Sequence, residues 1–331
     1  MKALVIGGTG FIGSHIVQAL LGKGVRVRIP VRHKGEVAGC NRDGGVDIEY
    51  CYGDVLDEGS LRACMDGIEI VYGSFGLLGQ WRISHDEYWK VNTRAVTNVL
   101  NSLAGTSVRQ FIHLSSAGVL GPLPDGVIAD EAFPFNPSNI YEMSKCEAER
   151  EVLRFGKSGH LPFTIVRPEF VYGPGDLHVL PLFSAIRKRR FFLIGNGASV
   201  LHPTYIDDLI QGILLCADNN RAIGKTYMIT GKAPLHVREI AEIIAEELNV
   251  HLSRINIPRG FAWLGASALE LLARSIRASK PLLTRSQVKF FSENRAFSNR
   301  KAQIELGYVP TVDFREGVKR TLCWYTEKEY L

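Results

Sequence analysis

The chain has few cysteines, and their spacing forms no recognisable motif. The six are far apart and include no CxxC pair. Such spacing fits neither a zinc site nor a disulfide framework, so we expect reduced thiols, no bound metal and a cytoplasmic protein. The cysteines are Cys40, Cys51, Cys64, Cys146, Cys216 and Cys323.

Long apolar runs and a strong charge of one sign are also absent. The first predicted strand begins at Lys2, so we expect no signal peptide. The most apolar later stretch starts at Gly260 and meets Glu270 and Arg274 before it reaches the roughly 20 residues that span a bilayer. The net charge of +5 is dispersed along the 331 residues. We therefore expect a globular chain with no integral membrane segment and no nucleic-acid partner.

What the first half contains is an alternation of short β-branched segments with amphipathic ones. Apolar residues three and four apart predict helices between the strands. This order predicts an α/β fold, a doubly wound parallel sheet with helices on both faces, in which ligands bind beyond the carboxyl ends of the strands. The predicted strands are KALVIGG, RVRIPVR, DIEYCYGD, IEIVYGS, RQFIHLSS and FTIVRPE.

Directly after the first strand the chain reads GGTGFIG, which predicts a phosphate-binding turn. The first glycine lets the chain turn, the second lets the backbone approach a ligand, and the third lets the helix pack closely on the sheet. Unpaired N–H groups at the start of that helix suit a pyrophosphate. The predicted cofactor contacts in this turn are Gly7, Thr9, Gly10, Phe11, Ile12 and Gly13.

The end of the second strand bears on the choice of dinucleotide. An NAD site usually has an acid there, but the sequence reads PVRHK. Arg32, with His33 and Lys34 beside it, offers donors for a 2′-phosphate, which favours NADP. A solvated basic turn, with NAD as cofactor, is the alternative. After the third strand, Asp54 can accept from the adenine amino group and Val55 can cover the ring.

A tyrosine and a lysine one helical turn apart give the predicted catalytic pair. Tyr141 and Lys145 lie in YEMSK, on one face of a helix. A phenol with a pKa of about 10 is a poor base at neutral pH, but a neighbouring ammonium favours its phenolate. Ser116, at the end of the fifth strand, can hold a reacting hydroxyl or carbonyl oxygen in line with that phenol.

These motifs together resemble the short-chain dehydrogenase/reductases, in their extended epimerase/dehydratase branch. The resemblance extends over nearly the whole chain. It implies that Tyr141 is the acid/base, that Lys145 also grips the nicotinamide ribose, and that Ser116 rather than Ser115 positions the substrate. The motifs that carry it are GGTGFIG, GDVLD, VNTRAVTNVL, HLSSAGVLG, YEMSK, IVRPEFVYGPGD, GNGASVLHPTYIDDL and KAQIELGYVP.

The resemblance implies further cofactor contacts and a domain division. Pro168 and Val171 are expected to line the nicotinamide carboxamide, Gly73 and Phe75 to flank the cofactor, and Asn92 to lie near the active-site helix. Residues 1–172 and 204–231 are expected to form a Rossmann domain. Residues 173–203 and 232–331 would form a smaller, interleaved α+β substrate domain.

The sequence also departs from the family pattern. Leu120 replaces a usual tyrosine, and Leu201 stands where members acting on nucleotide sugars tend to carry an arginine for the diphosphate. The chain looks more like the dihydroflavonol reductase and 3β-hydroxysteroid dehydrogenase branch, whose substrates are apolar. His202 is either a substrate contact or structural. The apolar segments GFAWLGASALELL and SFGLLGQW either line a pocket or belong to the core.

The resulting hypothesis is an NAD(P)-dependent oxidoreductase that transfers a hydride to or from a hydroxyl or carbonyl carbon of a small apolar molecule. One alternative is a nucleotide-sugar epimerase or dehydratase with tightly bound NAD. A second is a non-catalytic NADP-sensing protein, although relatives of that kind tend to lose the tyrosine and the lysine. The resemblance also suggests a homodimer formed through EYWKVNTRAVTNVLNSL and SNIYEMSKCEAEREVLRFG.

Overall fold

The computed structural model describes residues 1–32, 48–79, 81–159, 162–253, 255–275 and 281–331. Its strands, in chain order, are β1 (Lys2–Ile6), β2 (Arg26–Val31), β3 (Ile48–Tyr52), β4 (Ile70–Gly73), β5 (Gln110–Leu114), β6 (Phe163–Pro168), β7 (Val171–Tyr172), β8 (Leu193–Ile194), β9 (Val200–Leu201), β10 (Thr204–Tyr205), β11 (Lys225–Ile229), β12 (Leu235–His236) and β13 (Asn256–Ile257).

The helices pack on the strands and on one another. They are α1 (Phe11–Gly22), α2 (Glu58–Cys64), α3 (His85–Tyr88), α4 (Ala95–Leu103), α5 (Ile140–Lys157), α6 (Leu180–Arg187), α7 (Ile206–Asp218), α8 (Val237–Glu247), α9 (Arg259–Ser275), α10 (Arg285–Phe290), α11 (Arg300–Leu306) and α12 (Phe314–Glu327). A π-helix, Trp89–Arg94, joins α3 to α4, and two 3₁₀ helices cover Ala117–Leu120 and Asn220–Ala222.

Seven strands form one central sheet in the order β11-β6-β5-β4-β1-β2-β3. Every pairing within it is parallel. The predicted α/β fold is confirmed, and β11, which lies in the segment 204–231, forms one edge of this sheet. The strand order reverses between β1 and β4, the place where open α/β sheets bind ligands.

Both faces of the sheet are buried, as its alternating side chains require. Ala3 and Val5 of β1 belong to one apolar cluster, which includes Ile16 of α1. Leu4 and Ile6 belong to a second cluster on the other face. Because successive side chains of a strand point to opposite faces, an all-apolar strand is what a sheet covered on two sides needs.

The chain beyond β7 adds small sheets and helices around this core. β9 pairs with β12, β8 with β13, and β10 with β7. The division into a Rossmann domain and a substrate domain at the predicted boundaries stays a prediction. Within the described ranges, no helix combines the length and the apolar character that crossing a bilayer requires.

Candidate active site

The glycine turn lies between β1 and α1, and its geometry excludes side chains. Gly7 has φ +82°, and a Cβ there would lie 2.3 Å from the Ser74 carbonyl oxygen. A Cβ at Gly13 would lie 2.0 Å from the Gly7 carbonyl oxygen. These two glycines are therefore required by close backbone packing, at the turn and at the approach of the helix to it.

The start of α1 is suited to hold an anion. Gly10 is its N-cap residue, no side chain caps the helix, and its first turn carries no acid. Gly10 and Thr9 are exposed, and Phe11 and Ile12 are half-buried. N–H groups at the start of a helix have no partner within the helix and can donate to a phosphate. At Gly7 the Ser74 carbonyl oxygen packs so closely that there is room for backbone but not for a side chain. The residues present therefore fit a dinucleotide pyrophosphate.

The predicted adenosine contacts lie at the ends of β2 and β3. Arg32 is exposed directly after β2, whereas His33 and Lys34 lie outside the described residues. Asp54 and Val55 are half-buried after β3. Asp54 Oδ1 accepts from the Leu56 N–H at 2.9 Å, so this short turn holds the carboxylate in place at the end of β3.

The loop after β4 is held against the active-site helix by a buried asparagine. Asn92 lies in the π-helix, a feature that often marks functional sites. Its amide accepts from the Leu77 N–H at 2.7 Å and donates to the Ser144 hydroxyl at 3.0 Å. Asn92 thus lies near the active-site helix α5 as predicted, and its side chain joins the loop to that helix.

Gly73 ends β4, and Phe75 lies in the loop that follows β4. A Cβ at Gly73 would lie 2.9 Å from the Phe111 ring and 3.6 Å from the Phe75 ring, so the end of β4 is closely packed. The carbonyl oxygen of Phe75 accepts from Lys145 Nζ at 3.4 Å. The loop therefore meets the predicted catalytic lysine directly.

The predicted catalytic residues come together beyond the carboxyl end of β5. Tyr141 and Lys145 are one turn apart on α5, and Ser116 lies close enough to the Tyr141 phenol to lower its pKa. Lys145 is buried and donates to the Leu114 carbonyl oxygen at 3.0 Å. Ser115, by contrast, donates to the buried Glu149 carboxylate at 2.7 Å, so only Ser116 of the serine pair faces the tyrosine.

Burial shifts both titrating groups of this trio toward their neutral forms. It raises the pKa of Tyr141 to about 12, against the hydrogen bond with Ser116, which lowers it. It also lowers the pKa of Lys145 to about 8. In the protein alone Lys145 is bonded to backbone carbonyls, so its predicted effect on the pKa of Tyr141 stays a prediction.

Three charged residues beside Tyr141 were not predicted from the sequence. Arg295 donates to the Glu142 carboxylate at 2.6 Å, and both residues are buried. A Cβ at Gly118 would lie 3.2 Å from Ser116 Oγ and 3.5 Å from Arg295 Nη1, which places the guanidinium beside the serine. Burial raises the pKa of Glu169 to about 7. Glu142 directly follows the tyrosine in sequence, but nothing near position 295 indicated its place here.

The predicted nicotinamide contacts, Pro168 and Val171, lie on either side of Glu169 in the chain. Pro168 ends β6 and is buried, and Val171 begins β7 and is half-buried. Between them Phe170 adopts φ +36°, a conformation that side chains rarely take. Backbone strain of this kind concentrates at ligand-binding sites.

Leu201 and His202, two positions that bear on the substrate, make contacts within the protein. Leu201 is fully buried and pairs with Leu235. His202 contacts the Gly231 carbonyl oxygen at 3.1 Å and accepts from the Phe297 N–H, and burial lowers its pKa to about 4. It is therefore a neutral histidine bonded to backbone.

The apolar helix α9 does not bury its large side chains in a pocket. Ala262 and Ala266 pack inward, whereas Phe261, Leu264 and Leu271 are 71%, 67% and 67% exposed. Most large residues of GFAWLGASALELL thus face outward, with Leu269 half-buried, and Ala262 and Ala266 make the packing contacts.

A parallel sheet with a glycine turn after β1 and a Ser–Tyr–Lys group beyond β5 defines an enzyme that binds a nicotinamide dinucleotide. The chain belongs to the NAD dependent epimerase/dehydratase family, whose sequence profile matches residues 3–230. The resemblance predicted from the motifs is confirmed, and the protein is an NAD(P)-dependent oxidoreductase.

Individual relatives are distant but match over most of their length. The chain is 29% identical to a 3beta-hydroxysteroid-dehydrogenase/decarboxylase isoform 1 of Arabidopsis thaliana, over 96% of this chain and 78% of the relative. It is 27% identical to a 4-hydroxy-2-methyl-3-oxo-4-farnesyl-3,4-dihydroquinoline-1-oxide ketoreductase of Stigmatella aurantiaca, over 96% and 95%. The crystal structure of UDP-glucuronic acid 4-epimerase from Bacillus cereus has a TM-score of 0.79 at 22% identity, covering 99% of this chain and all of that one, and it shares the fold.

Proposed function

We propose that the protein uses NADP to oxidise or reduce an apolar alcohol or ketone at the Ser–Tyr–Lys site. The observation that supports this most directly is the meeting of Tyr141, Ser116 and Lys145 beyond the carboxyl end of β5. Bound NADP would supply or accept the hydride, held by the glycine turn, Arg32, Asp54 and Val55 and by the loop at Gly73 and Phe75.

The chain's own residues would handle the proton and the substrate oxygen. Tyr141 exchanges a proton with that oxygen at its phenol, and Ser116 donates a hydrogen bond that fixes the oxygen beside it. Lys145, as a cation, grips the nicotinamide ribose and favours the phenolate. Pro168 and Val171 would line the nicotinamide carboxamide.

An apolar substrate fits both the chain and the names of its relatives. Leu201 is buried in the core and offers no charge to a diphosphate. One relative is named for a hydroxysteroid and the other for a farnesylated dihydroquinoline oxide. We therefore take a hydroxysteroid, or a ketone carrying an isoprenoid chain, as the substrate class.

The catalytic role is tested by replacing Tyr141 with phenylalanine. Y141F should bind NADPH within about twofold of the wild type but lose turnover by about 10²–10⁴-fold, because general acid–base catalysis contributes that much. NADPH fluorescence measures both quantities, with 3-hydroxysteroids, isoprenoid ketones and nucleotide sugars as substrates. Retained turnover in Y141F would refute the assignment, and activity confined to nucleotide sugars would refute the substrate class.

The preference for NADP rests on Arg32. R32Q should weaken NADPH binding and leave NADH binding unchanged, since only NADPH carries the 2′-phosphate. R300Q, at an exposed arginine of α11, is the matched control and should change neither. Equal loss for both cofactors in R32Q would argue against a 2′-phosphate contact.

A homodimer through two elements, the π-helix with its continuation α4 and the helix α5, is proposed as well. Both elements carry a large exposed apolar side chain, Trp89 at 39% and Met143 at 44%. Light scattering with size-exclusion chromatography should give twice the chain mass for the wild type. M143E should shift the protein to the monomer, and a wild-type monomer would overturn the proposal.

A further inference from the structure

Two thiols that the sequence places 13 positions apart meet in the fold. Cys51 lies on β3 and Cys64 at the end of α2, and the Cys51 thiol lies 2.7 Å from the Cys64 sulfur. Both are free cysteines; Cys51 is half-buried and Cys64 is buried. The two thiols meet because α2 packs against the carboxyl end of β3. Their spacing is not that of a CxxC motif, so the sequence did not predict this contact.

The surroundings of the pair favour a reactive thiol. The hydrogen bond from Cys51 and the positive charge of Arg28 lower the pKa of Cys64, against burial and the Glu49 carboxylate, which raise it. Arg28 is buried and donates to the Cys64 carbonyl oxygen at 2.8 Å, which keeps its guanidinium beside the pair. Thiolates near a cation are the nucleophilic form of cysteine.

We propose that Cys51 and Cys64 form a redox-active pair that a peroxide converts into an intramolecular disulfide. One sulfur attacks the peroxide, the O–O bond breaks, and a sulfenic acid and one water form. The other sulfur then displaces hydroxide from the sulfenic acid, so that the S–S bond forms, the S–O bond breaks and a second water leaves with the remaining thiol proton. Two thiols are oxidised and one peroxide is reduced to two waters.

Little rearrangement is needed for this step. A disulfide bond is about 2.05 Å long, so the two sulfurs need to approach by only about 0.7 Å. The other described cysteines offer no such arrangement, and Cys323 lies beside the Glu327 carboxylate instead of a second sulfur.

The pair lies beside Gly53, the residue that precedes the predicted adenine contacts in the chain. A Cβ at Gly53 would lie 2.9 Å from the Cys64 sulfur, and Asp54 and Val55 follow that glycine. Cys64 also donates to the Tyr52 carbonyl oxygen at 3.2 Å, a bond that the disulfide would remove. The oxidised protein is therefore expected to bind NADPH more weakly, an expectation that rests on the proposed function.

The full chain is treated with hydrogen peroxide, alkylated and digested without reductant for mass spectrometry. We expect a Cys51–Cys64 cross-linked peptide, which C51S and C64S lose and C323S keeps. Sulfinic acid or alkylated thiol at both positions, with no cross-link, would overturn the proposal. C51S keeps the test valid even where C64S fails to fold, because Cys51 is the more exposed of the two residues.

NADPH titration of the same samples tests the consequence. The oxidised protein should bind NADPH several-fold more weakly, and dithiothreitol should restore the affinity. A cross-link without any change in affinity would overturn the effect on the cofactor. Failure of the reduced protein to bind NADPH would instead overturn the proposed cofactor site and leave the cross-linking result standing.

Discussion

Replacing Gly13 with alanine tests whether close packing of α1 on the turn builds the cofactor site. The new Cβ would lie 2.0 Å from the Gly7 carbonyl oxygen, whereas ordinary van der Waals contact begins at 3.4 Å. The helix and the turn would have to separate by about 1.4 Å to reach that contact. Overpacking of this kind costs about 1–3 kcal/mol, which corresponds to roughly 5–150-fold in affinity.

The assay is a fluorescence titration with NADPH beside a thermal melt. We expect G13A to bind NADPH at least about fivefold more weakly or to melt at a lower temperature. G22A is the matched control in the same helix, because no atom lies within 4 Å of its added Cβ. That control should bind normally and gain up to about 1 kcal/mol of stability. If G13A matched the wild type in both measurements, the packing argument would fail.

Two further predictions concern buried charges. Glu149 is fully buried and accepts from Arg167 and Ser115, so E149Q should cost about 3–5 kcal/mol in urea unfolding by leaving a buried guanidinium without its counterion. E151Q, at a more exposed pair, should cost at most about 1 kcal/mol, and equal costs would contradict the argument. Lys145 has a pKa lowered to about 8 and is a cation only below it, so NADPH affinity should fall as the pH rises through 8. K145M should lack that pH dependence, and a wild-type affinity that stays flat from pH 7 to 9 would refute the ribose contact.

The sequence predicted those features that depend on neighbours along the chain. Gly10 and Gly13 of the turn serve contacts within a few residues, whereas Gly7 packs against the distant Ser74. The i, i+4 spacing of Tyr141 and Lys145 places both on one face of a helix whatever packs around it. Alternating strands and helices likewise determine a parallel sheet, because the crossovers have one preferred hand. The fold class and the placing of Tyr141 and Lys145 on one helix face therefore follow from local patterns in the amino-acid sequence, whereas the choice of Ser116 came from the family resemblance.

Tertiary structure alone decided which distant residues meet. Arg295 reaches Glu142 across 153 positions, and Cys51 reaches Cys64 only because α2 packs on β3. Periodicity also left open whether the apolar residues of α9 face inward, and packing of its alanines leaves Phe261, Leu264 and Leu271 facing outward. Sequence patterns specify local conformation, whereas contacts between remote segments depend on how whole elements fill the space around the core.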